Sequence, residues 1–382
     1  MLIHIAVCGI GLGHATRSYE IAEELWRRGH TLTFSSYGQG FNFLSKNGCE
    51  PAHVPSVGYG VSVDGSVSVK KTIVDNLFLP IKVAAQTLAE TSIIGEADAV
   101  VSDTRVSATL AAKIRRKPVA TILNQYNLLL LSEKHQRAAE VFQPMLQAPQ
   151  HVWNLSDKII IPDLPPPHTI SEHTLQISKK LIDRVVYTGP LTKPIRHDRS
   201  DLEEVRAIHG ALAKPFILVV VSGGVEEKKV LVEMFTEFGD KLSDDFVYVM
   251  STADPTSNID VRRGALHVKS WIPDLDLYLE AADLVVCRGG LTLLLKCLLY
   301  GKPTVVIPTP QHGEQFANVS RVEELGVGKM INQKDLSPES FMKSIKDLLN
   351  DEGVAERIMR LSEIAWRCRG VAEAADAVES LY

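Results

Sequence analysis

The sequence predicts an α/β protein of two doubly wound domains, each a largely parallel sheet with helices on its faces. Three observations point there. Ala282–Gly328 alternates strand, Gly-Gly turn, helix, strand, polar loop and helix, the repeating unit of an open parallel sheet. The chain opens with a unit of the same kind, from Leu2 to Ser35. Its 382 residues suffice for two full cores. A fresh apolar strand, Phe216–Val221, follows a stretch rich in proline and charge, so the expected domains are 1–190 and 191–369.

Composition narrows the function. A net charge of -5 gives no electrostatic footprint for nucleic acid, so none is expected as a partner. The five cysteines are odd in number and scattered, without a CxxC pair, which suits a reducing compartment and neither a disulfide framework nor a zinc site. No basic segment precedes the apolar run Leu2–Val7, which reads as a first strand and not as a signal peptide. No apolar run approaches the ~20 residues that span a bilayer. The expectation is a cytoplasmic protein, or one held at the inner face of a membrane.

In chain order, Leu2–Val7 leads into Cys8-Gly9-Ile10-Gly11-Leu12-Gly13-His14 and a helix from about Ala15 to Arg28. A dinucleotide fingerprint would need a third glycine where His14 stands and an acid after the second strand, Thr31–Ser35. Ser36-Tyr37 follows instead, and the dinucleotide reading fails twice. What remains is a glycine loop presenting His14 at a helix start, as a catalytic base or as a cap. Val54–Val69 reads as a loop or small hairpin. Lys70-Lys71 and Leu77–Lys82 place apolar residues beside lysines, fit either for an anionic membrane or for packing on their own domain. The strand Ala99–Ser102 ends at Asp103, which either faces the ligand crevice or caps the next helix, Ser107–Arg115. Pro118–Leu123 and Lys158–Ile161 are strands, Glu133–Gln147 is helical, and Val185–Tyr187 closes the domain.

The second domain begins with Phe216–Val221 and the loop Ser222-Gly223-Gly224, whose amides at a helix start form a phosphate cradle. Glu226 and Glu227 would compete with a phosphate there, and their side chains are expected to point away. Phe246–Met250 is the next strand, and Val268–Pro273 carries Trp271 and Ile272. Leu284–Cys287, the helix Leu291–Tyr300, the stop Gly301-Lys302-Pro303, the strand Thr304–Ile307 and the helix Gln315–Leu325 follow. A helix at Pro338–Leu349 and a helical run from Val354, broken at Arg369-Gly370, complete the chain.

The series Gly289-Gly290, Lys296-Cys297-Leu298 with Gly301 and Pro303, then Glu314-Gln315 and Asn318, resembles the donor signature of nucleotide-sugar glycosyltransferases of the GT-B type. Cys287-Arg288-Gly289-Gly290 and Gln311-His312 are most similar to the MurG family within the UDP-glycosyltransferase superfamily. The resemblance implies the GT-B fold, two Rossmann-like domains facing a central cleft, with the C-terminal helix, about 370–382, packing back on the first. It implies His14 as acceptor base, steadied by Asp103, and a donor contact from Gly13. It implies donor contacts from Ser222, Gly223 and Gly224, from Trp271 and Ile272 at the base, from Arg288, Gly289, Gly290, Leu291 and Thr292 at the diphosphate, and from Gln311, His312, Glu314 and Gln315 near the sugar.

The activity so implied is an inverting, metal-independent transfer of a hexosyl or N-acetylhexosaminyl group from a UDP-sugar to a hydroxyl acceptor, lipid-linked or a surface glycan. The nucleotide sugar is a cosubstrate, with no separate cofactor and no metal. Peripheral membrane contact is an expected property; sugar, acceptor and oligomeric state stay open. A UDP-sugar 2-epimerase of the same fold and a non-catalytic nucleotide-sugar-binding subunit are the alternatives. One position departs from the family: the Glu that grips the ribose hydroxyls is Lys296 here. A lysine only donates, so it must turn aside or meet an anion. The donor diphosphate is the expected partner, with Glu314 or Glu323 as structural alternatives.

Overall fold

The computed structural model describes residues 1–58, 65–67, 79–129, 147–254 and 256–382. They form two compact units. The first runs from Met1 to Lys193 and takes back Cys368–Tyr382, while the second comprises Pro194–Arg367 with residues 65–67. The helix expected over Glu133–Gln147 apart from its last residue, half of Val54–Val69, and Lys70-Lys71 with Leu77 and Phe78 lie outside the described residues.

In the first unit, strands β1 (Leu2–Ala6), β2 (Thr31–Ser36), β3 (Ala52–His53), β4 (Ala99–Asp103), β5 (Val119–Ile122), β6 (Lys158–Ile161) and β7 (Val185–Tyr187) form one sheet in the order β3-β2-β1-β4-β5-β6-β7. Every pairing is parallel. Parallel strands covered on both faces must be apolar throughout, and β1, β4 and β5 are buried along almost their whole length. Among the described residues, the helices α1 (Leu12–Arg27), α2 (Gly38–Lys46), α3 (Leu79–Ile94) and α4 (Val106–Ile114) connect β1 through β5. Ile21 and Leu25 of α1 enter a core with Ile3, Ile5 and Phe34.

The second unit opens with α5 (Arg199–His209), then β8 (Phe216–Val220), α6 (Val225–Phe238), β9 (Val247–Ser251), the hairpin β10 (Asp260–Arg263) and β11 (Leu266–Lys269), and α7 (Leu275–Ala281). It continues through β12 (Leu284–Cys287), α8 (Leu291–Leu299), β13 (Thr304–Val306), α9 (Gly313–Glu324), β14 (Gly328–Met330), α10 (Pro338–Leu349) and α11 (Glu352–Arg367). Its sheet runs β10-β11-β9-β8-β12-β13-β14, parallel except for β10 against β11. Several elements were not expected from the sequence, among them α2, α3, α7 and β14, and two are instructive. The stretch taken as linker contains α5, whose Val205 and His209 are buried and which ends at Gly210 in the left-handed region. The edge strand β10, exposed throughout, carries no apolar alternation and was not expected.

The last helix, α12 (Gly370–Glu379), packs against α1 in the first unit. Val378 and Ala374 join the core of Ile21 and Leu25, and Arg28 reaches Asp376 at 2.7 Å and Glu379 at 2.6 Å. Only glycine fits at the start of α12, because a Cβ on Gly370 would stand 2.0 Å from the Pro190 carbonyl oxygen. Gly370→Ala should therefore destabilise the first unit by about 1–3 kcal/mol, the usual cost of forcing backbone apart, as a lower urea midpoint. An unchanged midpoint would show that this contact yields without cost.

Candidate functional site

In an open parallel sheet the strand order reverses at one point, and ligands gather there beyond the carboxyl ends of the strands. In the first unit that point lies between β1 and β4. The loop after β1 turns at Gly11, whose φ of 73° is left-handed, and leads directly into α1. His14 is thus the third residue of α1 and stands opposite Asp103, the last residue of β4.

The two side chains meet. His14 Nδ1 lies 2.8 Å from Asp103 Oδ1. Neither is a simple cap: the N-cap of α1 is Gly11, and that of α4 is Arg105. Asp103 is fully buried, and its remaining capacity is filled from α1. Arg17 Nε donates to Oδ2 at 2.8 Å, Arg17 Nη2 donates to Oδ1, and Ser18 Oγ donates to Oδ2 at 2.9 Å. Burial alone would raise the Asp103 pKa. The Arg17 charge, the His14 ring and their hydrogen bonds outweigh it and hold the carboxyl well below the usual carboxylate range. An ionised carboxylate cannot donate, so the proton of the 2.8 Å bond belongs to Nδ1 of His14. In the neutral ring the lone pair is then on Nε2, and the His14 side chain keeps 21% of its surface exposed. A fixed tautomer at a partly open position is the geometry that a general base requires. Thr104, with a left-handed φ of 54°, brings its Oγ1 to 3.5 Å from the same Nδ1. The sequence reading missed Arg17 and gave Thr104 no role; the signal for Arg17 was its place three residues after His14, on the same helix face.

In the second unit the strand order reverses between β8 and β12, so Ser222–Gly224 and Arg288–Gly290 flank the switch point. Gly289 has φ 87°, and a Cβ there would press Val306 Cγ1 at 3.0 Å, while nothing lies within 4 Å of a Cβ on Gly290. Asn318 Nδ2 donates to the Gly289 carbonyl at 3.1 Å and fixes the turn. Gly290 caps α8, so the first-turn amides at Leu291 and Thr292 have no partner within the helix and offer an anion site. Trp271 is 41% exposed, which removes the option that it is core, whereas the Ile272 side chain is buried. Gln311 has a left-handed φ of 65°, and His312 Nδ1 accepts from Gln315 N at 3.5 Å, at the start of α9 beside Glu314. Gln315 is nearly buried, and its Oε1 accepts from Thr309 N at 2.7 Å, which turns its amide nitrogen into the donor it can offer a further partner.

Three side chains are placed differently from expectation. Glu227 does not point away: its carboxylate accepts from Gly224 N at 3.2 Å, so the loop after β8 spends one amide on its own chain. The helix start, being electropositive, attracts the nearest carboxylate. Arg288 is buried and reaches no open crevice; it donates to the Glu227 carbonyl at 2.6 Å, to Gln333 Oε1 at 2.6 Å and to the Ile307 carbonyl at 3.4 Å. Burial pulls its pKa down to about 10, with Glu227 opposing. Lys296 meets neither Glu314 nor Glu323. Its Nζ lies 2.9 Å from both carboxylate oxygens of Asp276, in the first turn of α7. Asp276, overlooked in the sequence, absorbs the charge that replaced the family's Glu. Among the described residues no three His, Cys, Asp or Glu side chains form a metal-binding group.

Comparison with known proteins gives the same answer for both halves. Residues 1–147 match the family model "Glycosyl transferase family 1", and residues 217–370 match "Glycosyltransferase family 28 C-terminal domain". An uncharacterized glycosyltransferase of Methanosarcina acetivorans is 28% identical over 97% of this chain and 96% of its own length. The Bacillus cereus "UDP-N-acetylglucosamine--N-acetylmuramyl-(pentapeptide) pyrophosphoryl-undecaprenol N-acetylglucosamine transferase 1" is 28% identical over 44% of this chain and 48% of its own. Among solved structures, the glycotransferase of kitacinnamycin superposes with TM-score 0.68 at 20% identity, covering 100% of this chain and 98% of that one. MurG of Acinetobacter baumannii gives 0.62 at 17%, covering 99% of each.

The Lys296–Asp276 pair makes a stability prediction. Lys296→Glu sets two carboxylates face to face and should cost about 1–2 kcal/mol, because a half-buried ion pair becomes a repulsion. Adding Asp276→Lys should restore most of the loss in the urea midpoint. A single variant as stable as the parent, or no recovery in the double one, would rule out the coupling.

Proposed function

We propose, on the premise that this chain is a glycosyltransferase of the GT-B type, that it transfers a hexosyl or N-acetylhexosaminyl group from a UDP-sugar to a hydroxyl acceptor. The transfer inverts the anomeric centre and uses no divalent metal. The acceptor oxygen attacks the anomeric carbon as the bond from that carbon to the diphosphate breaks. Its proton goes to His14 Nε2, and UDP leaves with the electron pair. The observation that supports this most is the His14–Asp103 bond of 2.8 Å, which fixes the proton on Nδ1 and turns a lone pair outward.

Several features favour a uridine donor and the amide-based handling of its phosphates. Trp271 presents a flat, half-exposed ring at the end of β11 that suits stacking on a base. The Bacillus cereus relative names a UDP-sugar. The amides of Leu291 and Thr292 supply the partial positive charge that a cation would otherwise bring to the diphosphate. Glu314 and the Gln315 amide nitrogen are assigned to the sugar hydroxyls.

A lipid-carried acceptor is part of the proposal, for a reason found in α3. That helix turns its polar residues inward, with Gln86, Thr87 and Glu90 buried, and leaves Ile81 and Leu88 exposed at 66% and 74%. Ala84 and Ala85 lie between them, also exposed and uncharged. Water gains nothing from such a face, whereas a bilayer surface does. Among the described residues no helix is long and apolar enough to cross a membrane, so contact would be peripheral.

Three outcomes are expected. His14→Ala should lose at least about a hundredfold in turnover while UDP-sugar affinity changes little, the signature of a general base. Activity should persist in excess EDTA; complete loss restored by magnesium or manganese would overturn the metal-free part. The full chain should sediment with phosphatidylglycerol vesicles, and the pair Ile81→Glu with Leu88→Glu should cut the bound fraction at least about threefold, as apolar area is lost. Equal binding by both proteins would remove α3 from the acceptor side.

A further inference from the structure

The cluster behind His14 holds one more cation than a base and its orienting carboxylate require. Arg17 is buried with Asp103, and its Nη2 lies 2.9 Å from His14 Nδ1 and 3.3 Å from Asn124 Oδ1. An arginine only donates, and Nδ1 already carries its own proton, so the 2.9 Å approach is no favourable bond. It is imposed because Arg17 and His14 both converge on Oδ1 of one carboxylate. Burial penalises net charge, so the sum over the cluster decides which state is stable. With Arg17 charged and Asp103 ionised, the cluster is neutral only while the imidazole is neutral. Without Arg17, the same carboxylate would be balanced only by an imidazolium.

We propose that Arg17 is the positioning residue that keeps His14 uncharged, by supplying the positive charge that Asp103 would otherwise draw from the ring. Asp103 can then fix the tautomer without consuming the base. The groups that meet His14, Asp103 or Arg17 among the described residues come from three elements and the loops beside them. Arg17 and Ser18 belong to α1, Asp103 ends β4 with Thr104 after it, and Asn124 follows β5. Behind Asp103 stands Cys8, whose thiol is pushed up by burial first and by the Asp103 charge to a lesser degree, so it stays protonated and adds no charge. Arg17 is therefore the decisive cation. This rests on the reading of His14 as base for its catalytic meaning, but its physical content concerns the ring alone.

The test observes the ring without any substrate. In the full 382-residue chain labelled at its histidine rings, the His14 signal is assigned by its loss in His14→Gln, and its titration midpoint is followed by NMR. Arg17→Met should raise that midpoint by at least about one pH unit, since a unit charge has left the immediate neighbourhood. Arg17→Lys, which restores the charge, should return it most of the way. Should Arg17→Met not fold, Asp103→Asn gives the opposite arm: removing the anion while Arg17 remains should lower the midpoint. A midpoint that stays or falls in Arg17→Met, or stays or rises in Asp103→Asn, overturns the proposal. If the midpoints move as stated while His14→Ala keeps full turnover, the role of Arg17 stands and the assignment of the base fails.

Discussion

A carboxylate without water must be given partners by the protein, and Asp103 has four bonds from three side chains within 3 Å. That requirement organises the first unit. β4 delivers the carboxylate at its carboxyl end, and α1 must then present His14, Arg17 and Ser18 on one face, one turn apart. The helix is also held by Ile21 and Leu25 below and by α12 beside it, so apolar packing sets its position and Asp103 sets its rotation. Breaking such a buried charge pair by removing one partner typically costs about 3–5 kcal/mol. The fold and the base are therefore coupled: whatever loosens α1 releases the tautomer of His14.

The second unit carries a buried charge of its own at the corresponding place, and uses it differently. Arg288 donates to two backbone carbonyls and one side-chain amide, drawn from α6, the end of β13 and the turn after β14. Its Nε has no hydrogen-bond partner among the described residues. A guanidinium enclosed in this way braces the three segments that it bonds. With Glu227 already bonded to Gly224 N, the helix start at Leu291 becomes the more open of the two anion sites. Under the proposed function the diphosphate would fall mainly to α8, with the loop after β8 shaping its surroundings.

Much of this was legible before any coordinates. The strands β6, β7 and β12 and the helix α10 are buried or amphipathic runs closed by Gly, Pro or polar residues, and their bounds follow from sequence alone. His14 at a helix start and Asp103 at a strand end were legible as a pair of chemical types. What escaped were features set by tertiary partners. Arg17 on a helix reads as an ordinary surface charge until a buried carboxylate is found facing it. Lys296 was expected to face a donor because the partner that neutralises it, Asp276, lies 20 residues earlier on another helix. Glu227 turned toward Gly224 because an electropositive helix start attracts the nearest acid. Helix α5 hid among charges because only Val205 and His209 of its residues are buried.

The claim at the centre of this account is that the second unit binds a uridine diphosphate sugar. Calorimetric titration of the full chain with UDP-N-acetylglucosamine, UDP-glucose, dTDP-glucose and GDP-mannose tests it most directly. The account predicts saturable binding of at least one UDP-sugar with a Kd between about 1 μM and 1 mM, the range of ordinary enzyme substrates, and weaker binding of the thymidine and guanosine donors. Tighter binding of dTDP-glucose or GDP-mannose, or no heat from any UDP-sugar, would contradict it.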